Sequence, residues 1–203
     1  GYHTLGSINH SMVFKNDYLE LIGTPKGKPN MRPELKEAEI GINGLVFKSD
    51  NIKKTYQHLI NMKLSNFPPR YFSRPVEING IERHAKFETV SIKDNIFKAG
   101  RVYFCNHLTP DLVWIPEYKL HKNNASEIAE ITVIDSNPSS ILKKINKITG
   151  SVKIDKEENF ITVKTDDVKL ILCNEKYFKE RYNYFGKQIK LRKEMFGSLT
   201  LRT

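Results

Sequence analysis

Glu20 is the one charged residue in an otherwise apolar run, Tyr18–Gly23. The run has the composition of a short buried strand, and the polar turn at residues 15–17 predicts that it forms a hairpin with residues 11–14. A carboxylate that stays charged and unpaired in an apolar interior is costly. Glu20 must therefore lie on a wet face, pair with a base or bind a metal ion. Strand periodicity alone favours the solvated or salt-bridged alternative.

His107 ends a second apolar run, and Asp111 follows it four residues later. A histidine with a carboxylate close by can be a metal ligand, a general base or a structural hydrogen-bonding residue. The sequence leaves all three roles open for His107, with Asp111 as its assisting group.

Three further residues have side chains that suit ligand binding. His3 and Asn9 flank a turn at residues 6–7 beside the predicted Glu20 strand, so they either line the same cleft or serve only the turn. Arg74 can hold a ligand carboxylate or phosphate, although an ordinary exposed arginine is the alternative. The sequence shows no glycine-rich phosphate loop, serine nucleophile elbow or Cys/His dyad.

Length and composition indicate a globular protein. The 203 residues are 39% hydrophobic, which is enough for one large domain or two small ones. No apolar run approaches the roughly eighteen residues of a membrane span, and no leader sequence opens the chain. Cys105 and Cys173 each lie inside an apolar run, as reduced, buried thiols do. We therefore expect a cytoplasmic protein without a membrane partner.

The formal net charge of +10 raises the question of a nucleic-acid partner. The positive residues are mostly lysines dispersed along the chain, and the one local concentration is at residues 187–193. Such a block is more often a solvated face than a binding arm. Nucleic acid is thus an unlikely partner on sequence grounds, while weak binding of anions stays open.

Hydrophobic periodicity predicts strands, separated by turns, and two amphipathic helices. One helix begins at Asp50 as N-cap and the other at Asp135, with Gly150 ending the second. The aromatic tail at residues 177–186 is a helix or a loop. Strands are predicted over residues 11–14, 18–22, 41–48, 76–78, 85–92, 101–107, 111–115, 128–134, 152–154, 160–164, 168–173 and 197–202.

The order strand, Asp cap, helix and three strands occurs twice, with the caps eighty-five residues apart. This predicts an α+β protein of repeated βαβββ modules. If the last strands of the modules are superposed, Glu20, Asp111 and Lys169 fall at one position. Two carboxylates at equivalent places suit a metal site between modules, which the lysine cannot complete. A register slip of one residue would turn the side chain to the other face.

The repeat also predicts the domain boundaries. Residues 1–23 are expected to be the C-terminal half of a first module, and residues 24–40 a linker rich in turn residues. Residues 41–116 form the second module and residues 127–175 the third. Residues 176–203 are a tail that contains the opening strand of a further module.

Two motifs carry a resemblance to a known family. His3-Thr4-Leu5-Gly6-Ser7-Ile8-Asn9, running into Tyr18-Leu19-Glu20-Leu21-Ile22, is similar to His-x-x-Gly-Thr-x-Asn followed by Tyr-Leu-Glu-Leu-Ile. Phe104-Cys105-Asn106-His107-Leu108-Thr109-Pro110-Asp111-Leu112-Val113-Trp114 is similar to Phe-Cys-Gln-His-x-Thr-Pro-Glu-Leu-Val-Trp. Both patterns occur in glyoxalase-like domain proteins of the vicinal-oxygen-chelate superfamily, which this chain resembles over most of residues 1–175.

The resemblance implies curved mixed sheets around a cleft and metal-assisted chemistry on a small oxygen-rich organic molecule. A divalent metal ion would be held by Glu20 and His107, with Asp111 assisting, and the reaction would be of the lyase, isomerase or dioxygenase type. His3, Asn9 and Arg74 would position the ligand. The other strands show no histidine at the position of the family's usual first ligand. The alternative is a metal-free protein of the same fold that sequesters a small molecule, and a homodimer is an assembly that the resemblance allows.

Overall fold

A computed structural model describes residues 1–27, 32–36, 38–65, 67–150, 152–188 and 192–203, with side chains omitted at residues 33–34 and 184–188. The strands are β1 (Ile8–Val13), β2 (Tyr18–Gly23), β3 (Gly44–Lys48), β4 (Arg70–Ile78), β5 (Ile81–Ser91), β6 (Arg101–His107), β7 (Glu127–Asp135), β8 (Lys153–Lys156), β9 (Phe160–Lys164), β10 (Lys169–Cys173) and β11 (Glu194–Arg202). The helices are α1 (Pro33–Lys36), α2 (Ile52–Asn61), α3 (Pro138–Thr149) and α4 (Glu175–Gln188).

The elements β3, α2, β4, β5 and β6 form a βαβββ unit with a four-stranded sheet in the order β3-β6-β5-β4. β3 and β6 are parallel and the other pairs are antiparallel. α2 packs Ile52 and Leu59 onto one face of this sheet, against residues such as Val102. The opposite face is left for the β1–β2 hairpin and for the pocket described below.

The elements β7, α3, β8, β9 and β10 repeat the same topology, with the order β7-β10-β9-β8 and a parallel β7–β10 pair. β11, which the sequence predicts to open a further module, pairs antiparallel with the free edge of β7. α4 covers the sheet face that lies opposite α3. There Phe178 packs against Ile134 and Cys173.

The β1–β2 hairpin is held from both sides. The Asp17 carboxylate at its turn accepts a hydrogen bond from the backbone N–H of Ile128, the residue after Glu127 in β7. At the other end, the loop before β1 donates from the Thr4 backbone N–H to the carbonyl of Ser73 in β4, at 3.0 Å. The first bond ties the hairpin to the five-stranded sheet, and the second ties it to the four-stranded sheet that carries the pocket.

One hydrophobic core connects the two units. It joins the α2 side of the first sheet, with Leu59 and Phe104, to the α3 side of the second, with Ile145 and Leu172. The His58 ring nitrogen Nε2 also lies 2.8 Å from the Lys147 carbonyl, and this contact links α2 to α3. The predicted α+β fold of βαβββ units with curved mixed sheets is confirmed.

Most strand predictions agree with the structure to within a few residues, and residues 101–107 and 160–164 agree at both ends. The strand predicted at residues 76–78 is too short. The strand begins at Arg70 and includes Pro75. It lies at the edge of the sheet, where a proline need not donate to a neighbouring strand.

The predicted N-caps Asp50 and Asp135 are wrong. Asn51 caps α2 by accepting from the Lys54 backbone N–H, and Asn137 caps α3 by accepting from that of Ser140. In both cases an asparagine stands closer to the first helical residue than the aspartate does, so its side chain reaches the unpaired N–H groups of the first turn. Pro138 occupies the first turn of α3, as predicted.

The predicted strand at residues 111–115 is also wrong. Pro110–Leu112 form a 3-10 helix, and a second 3-10 helix follows at Pro116–Lys119. The prolines start these turns because their fixed φ suits a helical first position. The superposition of Glu20 with Asp111 therefore fails, since Glu20 lies on a strand and Asp111 does not.

Parts of two predicted segments lie outside the described residues. These are residues 28–31 and 37 of the predicted linker and residues 189–191 of the basic block. Within that block, Arg192 is engaged inside the fold, where its Nε lies 3.2 Å from Oε2 of Glu39. None of the helices in the described part of the chain is both long enough and apolar enough to cross a membrane.

Candidate functional site

A cavity of about 120 Å³ lies between the β1–β2 hairpin and the face of the four-stranded sheet that is turned away from α2. Alternate residues of each strand point into it, as the two-residue period of a strand requires. The lining residues are His3, Leu5, Asn9, Ser11, Tyr18, Glu20, Ile22, Arg32, Phe67, Pro68, Arg70, Phe72, Arg74, Phe87, Thr89, Ser91, Arg101, Tyr103, Cys105 and Val113. Four of the six predicted site residues, Glu20, His3, Asn9 and Arg74, are thus brought together.

Glu20 is positioned by the hairpin. Its oxygen Oε1 accepts a hydrogen bond of 2.6 Å from the side-chain amide of Asn9, which lies on the neighbouring strand β1. The same amide donates to Oγ of Ser11 at 3.2 Å. The Glu20 side chain is 22% exposed, so it is neither fully solvated nor sealed in the core. The carboxylate is therefore oriented by Asn9 and remains accessible from the cavity.

His3 is fixed by a tight turn that precedes β1. Its backbone N–H donates to the Ser7 carbonyl, and the turn passes through Gly6 with a φ of 82°, a value that glycine adopts without strain. The imidazole packs edge-on against Phe72, and its Nε2 lies 3.8 Å from Oε1 of Glu20. Burial and the charges of Arg32 and Arg74 lower the pKa of His3 to about 4, so its ring is neutral at pH 7.

Arg74 projects into the cavity from β4. Among the residues that the structure describes, its guanidinium makes no hydrogen bond and no ion pair within 4 Å. Burial lowers its pKa, while the nearby Tyr18 and Glu20 raise it. Arg70, Arg101 and Arg32 line the same cavity. The electrostatic character of the site is therefore cationic, with the Glu20 carboxylate placed among arginines.

The floor of the cavity is formed by β6 and β5. Burial raises the pKa of Tyr103, and burial together with the Glu20 charge raises that of the Cys105 thiol to about 12. Both groups therefore stay protonated at neutral pH, and Cys105 does not act as an activated nucleophile. Phe72 and Phe87 stack at 5.0 Å between ring centroids and give the floor an aromatic surface.

His107 does not line this cavity. It lies behind Tyr18, whose hydroxyl is 3.2 Å from the His107 Nε2, and it packs edge-on against Phe87 and Trp114. Burial and the charge of Lys48 lower its pKa to about 4. His107 is therefore a neutral histidine that packs behind Tyr18 and supports the wall of the cavity at that residue.

Asp111 lies away from the cavity as well. Its side chain is 64% exposed, and its Oδ2 is 3.8 Å from Arg83, which is itself exposed. The superposition that puts Asp111 at the position of Glu20 aligns a 3-10 helix with a strand. Its position gives no support to a catalytic role.

Sequence reasoning missed several residues that line the pocket, among them Tyr18, Arg101 and Tyr103. A signal for them was present, because residues 101, 103 and 105 alternate with the apolar Val102 and Phe104. Alternation alone does not say which face of β6 meets a cavity and which meets a helix. That choice follows from the placement of α2, which packs on the Val102 side.

The predicted divalent metal can be tested against these donors. Within the described ranges, no group of three or more His, Cys, Asp or Glu side chains is arranged to hold a metal ion. Glu20 and His3 are the two potential metal ligands that approach each other. The positive charges of the surrounding arginines disfavour the binding of a metal ion there. The residues present therefore do not fit the metal site that the sequence predicted.

The chain is similar to solved structures at low sequence identity. A hypothetical protein from Staphylococcus aureus matches with a TM-score of 0.66 and 15% identity, over 86% of this chain and 75% of that chain. A triple mutant of 4-hydroxymandelate synthase from Streptomyces coelicolor matches with a TM-score of 0.49 and 12% identity, over 83% of this chain. The chain spans about half of that synthase, 51% of its length. None of the curated proteins matches the chain.

The family model described as "Glyoxalase-like domain" matches residues 1–149. These residues include both sequence motifs, the hairpin with Glu20 and the complete four-stranded sheet. The match covers well over half of the chain, so the predicted resemblance to glyoxalase-like domain proteins is confirmed. The chain belongs to the glyoxalase-like domain family.

Proposed function

We propose that this protein binds a small, oxygen-rich organic anion in the cavity between the hairpin and the four-stranded sheet. The observation that carries the proposal is the lack of a hydrogen-bonding partner for the Arg74 guanidinium among the described residues. A partly buried guanidinium has five N–H groups to satisfy, yet within the described structure this one makes no hydrogen bond and no ion pair within 4 Å. A ligand carboxylate would accept two of these N–H groups at once, in the bidentate geometry that suits arginine.

The other lining residues support the same ligand class. Arg70 and two further arginines give the cavity a positive potential that attracts anions. Glu20, held by Asn9, offers an acceptor for a hydroxyl group of the ligand. Phe72 and Phe87 offer an apolar surface for its carbon skeleton. An organic acid that also carries a hydroxyl group would match all three features.

The size of the cavity limits the ligand. A volume of about 120 Å³ holds roughly four water molecules at about 30 Å³ each, which corresponds to a ligand of roughly five or six non-hydrogen atoms. Compounds of this size include short hydroxy acids and keto acids. A nucleotide or a peptide would be too large to be enclosed.

Replacement of the anchoring cation tests the proposal. We expect Arg74→Gln to weaken binding of the best small carboxylic acid by roughly tenfold to a hundredfold, because a charge-assisted hydrogen bond contributes about 1.5–3 kcal/mol. The measurement is titration calorimetry with a set of short hydroxy and keto acids, each paired with its uncharged methyl ester. Arg83→Gln is the matched control, because Arg83 is exposed and lies outside the cavity.

Three outcomes would contradict this function. The first is that none of the acids binds to the wild-type protein. The second is that the methyl esters bind as tightly as the acids, and the third is that Arg74→Gln and Arg83→Gln weaken binding equally. The second and third results would show that the arginine does not select a carboxylate.

The second candidate is a metal-dependent enzyme of the lyase, isomerase or dioxygenase type. The observation that bears on it is the distance of 3.8 Å between Nε2 of His3 and Oε1 of Glu20, two side chains of types that can ligate a metal ion. Elemental analysis of purified protein distinguishes the candidates. Stoichiometric metal that is lost in Glu20→Ala would favour the enzyme, whereas equal, substoichiometric metal in both proteins is the result expected for the anion-binding protein.

Three further predictions accompany the proposed function. A cytoplasmic location is supported by Cys105 and Cys173, both buried and unbridged, as thiols are in a reducing compartment. The expectation that nucleic acid is not a partner would be tested by binding at low salt. Assembly as a homodimer stays a prediction, to be measured by light scattering.

A further inference from the structure

Ser7 links two pocket residues through its hydroxyl group. Its Oγ lies 2.9 Å from Nδ1 of His3 and 3.1 Å from Nη1 of Arg32. The hydroxyl is buried, since Ser7 is 2% exposed. The three side chains therefore form a short hydrogen-bonded chain at the edge of the cavity.

The hydrogen on each atom of this chain follows from donor chemistry. A guanidinium can only donate, so the Ser7 oxygen accepts from Arg32. The hydroxyl hydrogen of Ser7 then remains to be donated, and Nδ1 of His3 is the acceptor within reach. An imidazole nitrogen that accepts carries no proton of its own, which leaves the ring proton on Nε2.

The opposite side of the ring leads to the same assignment. Nε2 of His3 faces Oε1 of Glu20 at 3.8 Å, and a carboxylate oxygen can only accept. A lone pair on Nε2 would meet the lone pairs of that oxygen, whereas an N–H is attracted to it. The distance is too long for a direct hydrogen bond, so an oxygen atom of a ligand can receive this N–H.

We propose that Ser7 is a positioning residue that holds His3 with its proton on Nε2, so that a neutral N–H donor points into the cavity beside Glu20. The proposal rests on the proposed function for its ligand, because the N–H would be donated to an oxygen of the bound organic anion. Together with Arg74 this gives the anion two donors, one charged and one neutral. Ser7 itself acts only through His3.

The tautomer can be measured in the ligand-free protein. In wild-type protein labelled with ¹⁵N at histidine, long-range ¹H–¹⁵N correlation at pH 7 should show His3 with a protonated, pyrrole-type Nε2 and an unprotonated Nδ1. The pKa of His3, lowered to about 4 by burial and the nearby arginines, keeps the ring neutral in this experiment. A pyrrole-type Nδ1 would overturn the inference without affecting the proposed function.

Two variants test the two hydrogen bonds of the Ser7 hydroxyl group, the one to His3 and the one from Arg32. Ser7→Ala removes the donor to Nδ1, and Arg32→Met removes the hydrogen bond from Nη1 that orients the hydroxyl. Both should shift the Nδ1 resonance and populate the second tautomer. Ser65→Ala is the matched control, because Ser65 is also 2% exposed and lies away from His3.

The same variants are then titrated with the best acid of the calorimetric set. We expect Ser7→Ala to bind it roughly threefold to tenfold more weakly, the effect of one neutral hydrogen bond, with Ser65→Ala unchanged. Unaltered ¹⁵N shifts in both variants, or an altered tautomer with unaltered affinity, would overturn the role of Ser7. Absence of acid binding in the wild type would instead count against the proposed function, since the tautomer is measured without ligand.

Discussion

At the scale of single residues, the pocket separates two histidines that look alike in sequence. His3 lies at the cavity beside Glu20, whereas His107 lies behind Tyr18 in a cluster of aromatic rings. Burial keeps both rings neutral at pH 7. His107 is close to the carboxylate of Asp111 in the sequence, but it is His3 that lies close to a carboxylate, that of Glu20, in the structure.

The buried state of His107 predicts a pH dependence of stability. Its pKa is about 4 in the folded protein against 6.5 in the unfolded chain, so unfolding takes up a proton between these values. The stabilisation is complete above pH 6.5 and is lost as the pH falls towards 4. We expect wild-type protein to lose about 1–2 kcal/mol more unfolding free energy than His107→Gln between pH 7 and pH 5.

Urea denaturation at the two pH values measures this difference. His10→Gln is the control, because His10 is exposed on β1, and it should follow the wild type. Parallel curves for the wild type and His107→Gln would mean that His107 does not resist protonation in the folded state.

At the scale of elements, the residue that caps each helix lies one or two positions after the aspartate that the sequence suggested. Asn51 and Asn137 provide the caps, although an aspartate stands just before each of them in the sequence. Both residue types are good caps by propensity. The register of the helix against the sheet, set by Ile52 and Ile141 entering the core, decides which one reaches the first turn.

This assignment predicts different effects for two adjacent substitutions. Asn51→Ala should cost about 1 kcal/mol of unfolding free energy, because the Lys54 N–H loses its acceptor. Asp50→Ala, an exposed position, should change stability by less than about 0.5 kcal/mol. Chemical denaturation of the pair checks the prediction, and an equal or larger loss in Asp50→Ala would restore the aspartate as the cap.

At the scale of the whole molecule, two sheets of the same topology use their faces differently. In the first, the face opposite the crossover helix carries the pocket under the β1–β2 hairpin. In the second, α4 covers that face, with Phe178 in the core and Arg181 paired to Glu130 at 2.7 Å. The same βαβββ unit thus lines a cavity in one half and forms a packing surface in the other.

The shared core predicts that both halves unfold together. Leu172 on β10 is fully buried at 0% exposure in the cluster that also contains Leu59 and Phe104. Leu172→Ala should cost about 2–5 kcal/mol. Trp114, the single tryptophan, reports on the first half. Its fluorescence midpoint and the circular dichroism midpoint should fall together.

Leu120→Ala provides the control for this experiment, because Leu120 is 84% exposed and its truncation should leave both midpoints in place. A fluorescence transition that stays at its wild-type midpoint while the circular dichroism transition moves would show that the halves unfold independently.

The sequence by itself determined the units and the family. Alternation, helical periodicity and two motifs are local properties of the chain, and they are sufficient for the βαβββ order and for a cleft that contains Glu20, His3, Asn9 and Arg74. The tertiary structure alone decided which face of each strand meets the cavity, that Asp111 lies outside it, and that arginines surround Glu20. Those facts depend on how residues far apart in the chain, such as Arg74 and Glu20, are brought to one cavity, which no local pattern encodes.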